Sequence, residues 1–121
     1  MFTFTKGIIL DETEYRALWS HFVEILKNTI NELDSEEREI FLRNREGFER
    51  WIDELVSGMF EFILEENNAE VAMIYLGGEW YYVPDGQEFY YVSRKKGDIP
   101  KVIKELEEEL RKSVKRSRRR R

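Results

Sequence analysis

The stretch Val71-Ala72-Met73-Ile74-Tyr75-Leu76-Gly77-Gly78-Glu79-Trp80-Tyr81-Tyr82-Val83-Pro84-Asp85-Gly86-Gln87-Glu88-Phe89-Tyr90-Tyr91-Val92 decides how the rest of the chain is arranged. Its first six residues set Val71, Met73 and Tyr75 against Ala72, Ile74 and Leu76 with the period of a strand. Gly77-Gly78 accepts positive φ at both positions, as a two-residue hairpin turn demands, so 79–83 reads as a second strand. Pro84-Asp85-Gly86 carries the signature of another turn, and 88–92 reads as a third strand. The expectation is an antiparallel meander.

In that meander Tyr75 faces Trp80, Met73 faces Tyr82, and Phe89 and Tyr91 extend the same face. The other face gathers Ala72, Ile74, Leu76, Tyr81, Val83, Tyr90 and Val92. Both are too apolar for water, whereas a sheet covered on one side has a polar outer face. One arrangement covers both faces with helices. The other leaves the face with Ile74, Tyr81 and Tyr90 partly open as an interface, with a second copy of the chain as one partner, because tyrosine offers contact area at small entropic cost.

Leu76-Gly77-Gly78-Glu79-Trp80, followed by Pro84-Asp85-Gly86 and Phe89-Tyr90-Tyr91-Val92, also resembles the first two strands of a WW domain. That family grips proline-rich peptides between paired tyrosines and tryptophans. The likeness is confined to residues 76–92: the Asn-His after the tyrosines and the second tryptophan are missing, and Ile99-Pro100 lies near where Trp-x-x-Pro would fall. Turn chemistry and strand propensity suffice to produce such a hairpin, so the family is not assigned.

Upstream, Phe2-Thr3-Phe4-Thr5 alternates as a short edge strand ending near Gly7. Asp11-Glu12-Thr13-Glu14 has the form of a capping box, and Tyr15, Leu18, Trp19, Phe22, Leu26, Ile30 and Leu33 follow at helical spacing, predicting a helix over 12–33. Asp34-Ser35-Glu36-Glu37 repeats the start signal, and a second apolar stripe runs to Asn67-Asn68 with a weak patch at 44–47 where it can break in two. Downstream, Gly97-Asp98 with Pro100 opens a last helix carrying Ile99, Val102, Ile103, Leu106, Leu110 and Val114 on one side. The predicted class is α+β: a three- or four-stranded antiparallel sheet, an N-terminal helical pair and a C-terminal helix.

With 121 residues the chain suits one domain, drawn at 1–115, with an Arg-rich tail at 116–121. No apolar run is long enough to span a bilayer, and the start, Met-Phe-Thr-Phe-Thr-Lys, has neither basic n-region nor cleavage site, which sets the expectation of a cytoplasmic protein with no membrane partner. High Glu and Arg content with no Cys is the bias of a heat-adapted organism. Lack of cysteine also excludes disulfides, thiolate zinc sites and Cys nucleophiles.

Catalytic material is sparse. His21, the one histidine, lies off the apolar stripe of its helix, and no phosphate loop, dinucleotide fingerprint or His-Glu-x-x-His occurs. The acids fall on helix surfaces as solvent cover, which leaves a carboxylate-dependent hydrolase as the third reading, behind two without catalysis. No cofactor and no metal is expected.

Charge is distributed unevenly. Residues 111–121 hold eight basic side chains and no acid, so the other 110 carry twelve cations against all 25 acids, a net of −13. Arg111, Lys112, Lys115 and Arg116 suit the C-terminal end of a helix, while Arg118, Arg119, Arg120 and Arg121 exceed what a helix end uses. Guanidinium groups favour phosphate and carboxylate partners. The leading expectation is therefore a non-enzymatic interaction protein whose Lys115, Arg116, Arg118, Arg119, Arg120 and Arg121 contact an anionic partner, DNA, RNA or an acidic protein surface, without reading sequence. The alternative is a protein-binding adaptor or inhibitor, homo-oligomeric, that works through the aromatic sheet face.

Overall fold

Two Asp-led capping boxes start the helical half of the molecule where the sequence places them. The computed structural model describes residues 6–84 and 86–119, and their side chains except at 86–87 and 113–119. Helix α1 (Glu12–Glu32) opens with the Asp11 carboxylate accepting from the Glu14 N–H at 2.8 Å while the Glu14 carboxylate accepts from the Asp11 N–H at 3.4 Å. Asp34 and Glu37 repeat the device for α2 (Ser35–Arg43). Helix α1 has no basic residue in its last turn. Arg38 of α2 takes that role, donating from Nε to the Ile30 carbonyl at 3.2 Å and from Nη2 to the Asn31 carbonyl at 2.7 Å.

The second apolar stripe does break at the weak patch. Asn44 ends α2 and caps α3 (Arg45–Glu66), its side chain accepting from the Gly47 N–H at 3.0 Å. A Cβ at position 47 would stand 2.6 Å from Asn44 Nδ2, so a side chain there would require the Asn44 amide to shift.

Strand β1 (Gly7–Leu10) pairs in parallel with β2 (Val71–Leu76), which pairs antiparallel with β3 (Glu79–Val83). The order is β1-β2-β3. The sheet is thus mixed, not the antiparallel meander expected, because the crossover α1–α3 returns the chain alongside β1 in the same direction. The edge strand predicted over residues 2–5 lies outside the described residues.

A second correction concerns 88–92, which are helical. They belong to α4 (Gly86–Lys95), followed by α5 (Asp98–Arg119). Phe89, Tyr90, Val92 and Ser93 are buried and Glu88, Tyr91, Arg94 and Lys95 exposed, which is the periodicity of a helix packed on one side. Phe89 settles the competition between local strand propensity and packing: its ring meets those of Tyr15, Trp19, Phe22 and Phe60 with centroids 4.6–5.8 Å apart. A strand would place Phe89 and Tyr91 on one face. Loss of this strand also removes the second half of the WW-like hairpin.

The class is α+β: among the described residues, a three-stranded sheet and five helices. Ala72, Ile74, Leu76 and Val83 enter one core with the apolar stripes of the helices, and Ile8, Leu10 and Tyr81 pack at its edge. Tyr15 ties the first helix to the last: its buried hydroxyl lies 2.6 Å from Ser93 Oγ and donates to Asp98 Oδ2 at 3.1 Å, while Arg16 pairs with Asp98 at 2.6 Å. Burial pushes that phenol up from its ordinary range. Helix α5 runs through the boundary drawn between residues 115 and 116. No helix among the described residues is long and apolar enough to cross a membrane.

Candidate functional site

Among the described residues, the helices pack on one face of the sheet. The uncovered face is built by the hairpin, whose Gly77 and Gly78 take φ of +55° and +82°, the doubly positive turn matching the twist of paired strands. That turn sets the register Tyr75 opposite Trp80 and Met73 opposite Tyr82, and the parallel pairing adds Ile9 beside Met73. Ile9, Tyr75, Trp80 and Tyr82 are 61, 41, 50 and 61 % exposed. The Tyr75 and Trp80 rings lie 5.1 Å apart in a tilted pair.

All strand residues on this face are uncharged, in a chain that is 37 % charged: Gly7, Ile9, Tyr75, Trp80 and Tyr82 are exposed, Met73 is half-buried, and Val71 at its far end is buried. Charges stand instead on the covered side, at the hairpin end. There Tyr81 donates to Glu79 at 2.7 Å, and Lys95 and Lys96 sit over the Tyr81 ring at 5.4 and 5.1 Å. The Tyr81 hydrogen bond, then the Lys96 ammonium, hold Glu79 below the usual carboxylate range. An uncharged surface rich in Tyr, Trp and Met has the composition of the desolvated centre of a protein interface. It can bury apolar area against another surface; it presents no cation to a phosphate.

Of the residues expected at an interface, Ile74 and Tyr90 are buried in the chain's own core, at 0 and 3 % exposure, and Tyr81 is half-buried. Ile74 and Tyr81 lie on the covered face, and Tyr90 lies on α4 rather than on a strand. The open face is the one that also bears Met73, Tyr75, Trp80 and Tyr82. A signal for this was present: the covered set is mostly aliphatic, whereas the open set carries phenol and indole groups that keep a polar tip toward water.

Lys115, Arg116, Arg118 and Arg119 fall on the last turns of α5, in the segment whose side chains are not described, and Arg120 and Arg121 lie outside the described residues. Arg111 pairs with Glu107 four residues earlier at 3.7 Å, as the spacing predicts, and Arg45 reaches the same carboxylate at 3.3 Å. His21 is exposed on α1. Among the described residues no group of three or more His, Asp or Glu converges as a metal cradle.

No family model matches this chain, and neither a curated protein nor a solved structure matches it.

Proposed function

We propose that the protein is a non-enzymatic interaction module that pairs with a second copy of itself through the open face of the sheet. One observation carries this reading: the uncharged face of Ile9, Met73, Tyr75, Trp80 and Tyr82. Its exposed side chains offer roughly 500 Å², near the upper limit for the largest apolar patch of an ordinary monomer. Two such faces around a two-fold axis bury roughly 1,000 Å², the lower bound for a specific interface. Because the face has no charge, two bodies of net −13 meet there without opposing carboxylates.

The test is the mass in solution of the wild type and of a Trp80→Ser/Tyr82→Ser double variant, each checked for helix content by circular dichroism. The wild type is expected to dimerise in the micromolar range and the folded double variant to stay monomeric. A wild type that remains monomeric at high micromolar concentration, or a double variant that dimerises equally well, refutes the pairing.

A second reading is favoured by the end of α5. The helix continues past Leu110, which is buried on its apolar side, into a stretch with eight basic residues and no acid. In this reading that end contacts the phosphate backbone of DNA or RNA through charge alone, and a dimer presents two such ends.

A further inference from the structure

Among the described residues, a second apolar surface stands open besides the sheet face. Helices α1 and α3 lie side by side, and between them runs a hollow of about 520 Å³ floored by Ile25, Leu55, Met59, Phe62 and Ile63. A second hollow of about 600 Å³ continues it toward Leu10 and Leu18 near β1, the two sharing His21 and Ile63. Along α3 the combined groove extends from Glu54 to Asn67, about 20 Å at the helical rise, or between three and four helical turns. Phe62 stands 60 % exposed in its wall.

Gly58 lies at the middle of the groove. It occupies the interior of a 22-residue helix, where glycine weakens the helix relative to alanine, yet a Cβ there would meet nothing within 4 Å. Nothing among the described residues demands a glycine at this position. A bare backbone at the centre of an apolar groove lets another helix approach closely.

Charge identifies the occupant. The lining contains Glu14 and Glu54 and neither Lys nor Arg. Glu61 and Glu65 continue the stripe of Gly58 and Phe62 on α3, Glu24 flanks Ile25 on α1 within the field of Lys27, and among the described residues none of Glu54, Glu61 and Glu65 forms an ion pair within 4.0 Å. A second copy laid groove to groove would oppose these carboxylates. The chain's own basic end, 111–121, offers one apolar side chain, Val114, and cannot fill the floor.

We propose that the α1–α3 groove is a docking site for an amphipathic helix of another protein, apolar on one face and flanked by Lys or Arg. The apolar face covers Phe62 and Ile25 at closest approach over Gly58, and the flanking cations meet the glutamates on the rim. The groove meets the sheet face at Ile9, which lines the second hollow, but Gly58, Phe62 and Ile25 lie on α1 and α3 away from Tyr75, Trp80 and Tyr82, and docking there does not depend on self-pairing.

The probe is a synthetic helical peptide of about 14 residues with Leu and Phe at positions i, i+3, i+4 and i+7 and Lys on the flanks, titrated by fluorescence anisotropy against the full chain. Its controls are the same composition in scrambled order and the same pattern with Glu flanks. The patterned Lys peptide is expected to bind at least about tenfold more tightly than either control. A Cβ at position 58 meets nothing within 4 Å and leucine is a better helix former than glycine, so Gly58→Leu is expected to keep or raise the thermal midpoint while weakening the patterned peptide by about tenfold or more; Trp80→Ser/Tyr82→Ser is expected to leave that binding unchanged. Should Gly58→Leu fail to fold, Phe62→Ser supplies the same comparison. Equal binding of patterned and scrambled peptides, or undiminished binding to the folded groove variant, overturns the proposal, as does a dimer that Gly58→Leu abolishes, which would assign the groove to a second copy.

Discussion

Replacing Phe89 and Tyr91 one at a time by alanine tests the core against the strand propensity of this stretch. On a strand the two aromatics share a face and make comparable contributions; on α4 they point apart, Phe89 fully buried and Tyr91 56 % exposed. Truncating Phe89 removes a ring in contact with four others, Tyr15, Trp19, Phe22 and Phe60. Lost transfer free energy of the ring atoms is about 2–3 kcal/mol, and a residual cavity in a core that relaxes only partly adds one or two more, giving about 3–5 kcal/mol. For a domain of total stability about 5–15 kcal/mol, that is a large share. Tyr91→Ala leaves no cavity, and its expected cost is within about 0.5 kcal/mol. Urea unfolding of both variants, followed by circular dichroism at fixed slope, measures the two values directly. Similar losses for Phe89→Ala and Tyr91→Ala, or a Phe89 loss below about 1 kcal/mol, would refute the account of Phe89 as the centre of the core.

Gly58→Ala is expected to stabilise the chain by about 0.5–1 kcal/mol, read as a higher urea midpoint, because the helix gains propensity and the new methyl meets nothing. Burial, then the neighbouring Glu54 carboxylate, raise Asp53 above its unfolded range. A raised carboxyl contributes most to stability when protonated, below the unfolded pKa, and that contribution is lost as pH rises through the folded value. Asp53→Asn is therefore expected to unfold at higher urea than the wild type at about pH 7, with the gap closing toward about pH 4; a gap that widens on acidification contradicts the sign. If the end of α5 grips nucleic acid through about six phosphates, log K against log salt falls with a slope near −5, and a chain ending at Ser117 loses most of the affinity. Equal binding by that shortened chain removes the tail from the interaction.

Helices α1, α2 and α3 were legible residue by residue because their determinants are local. Asp11 with Glu14, Asp34 with Glu37, and Asn44 with Gly47 each act within three residues, and the stripe from Tyr15 to Ile30 repeats at a spacing that only a helix turns to one side. The Gly77-Gly78 turn belongs to the same category, since two positive φ values in succession leave few other backbones. Tertiary structure alone decided three things: that β1 pairs in parallel with β2, that 88–92 coil into α4, and that the face of Tyr75, Trp80 and Tyr82 stays open while Ile74 and Tyr90 go inside. Each depends on groups distant in sequence. Strand direction follows the path of the whole α1–α3 crossover, and Phe-Tyr-Tyr-Val prefers a strand until the rings of Tyr15, Trp19, Phe22 and Phe60 surround Phe89. Which side of an apolar sheet meets water is settled by where the helices land, and period-two alternation is identical for both sides.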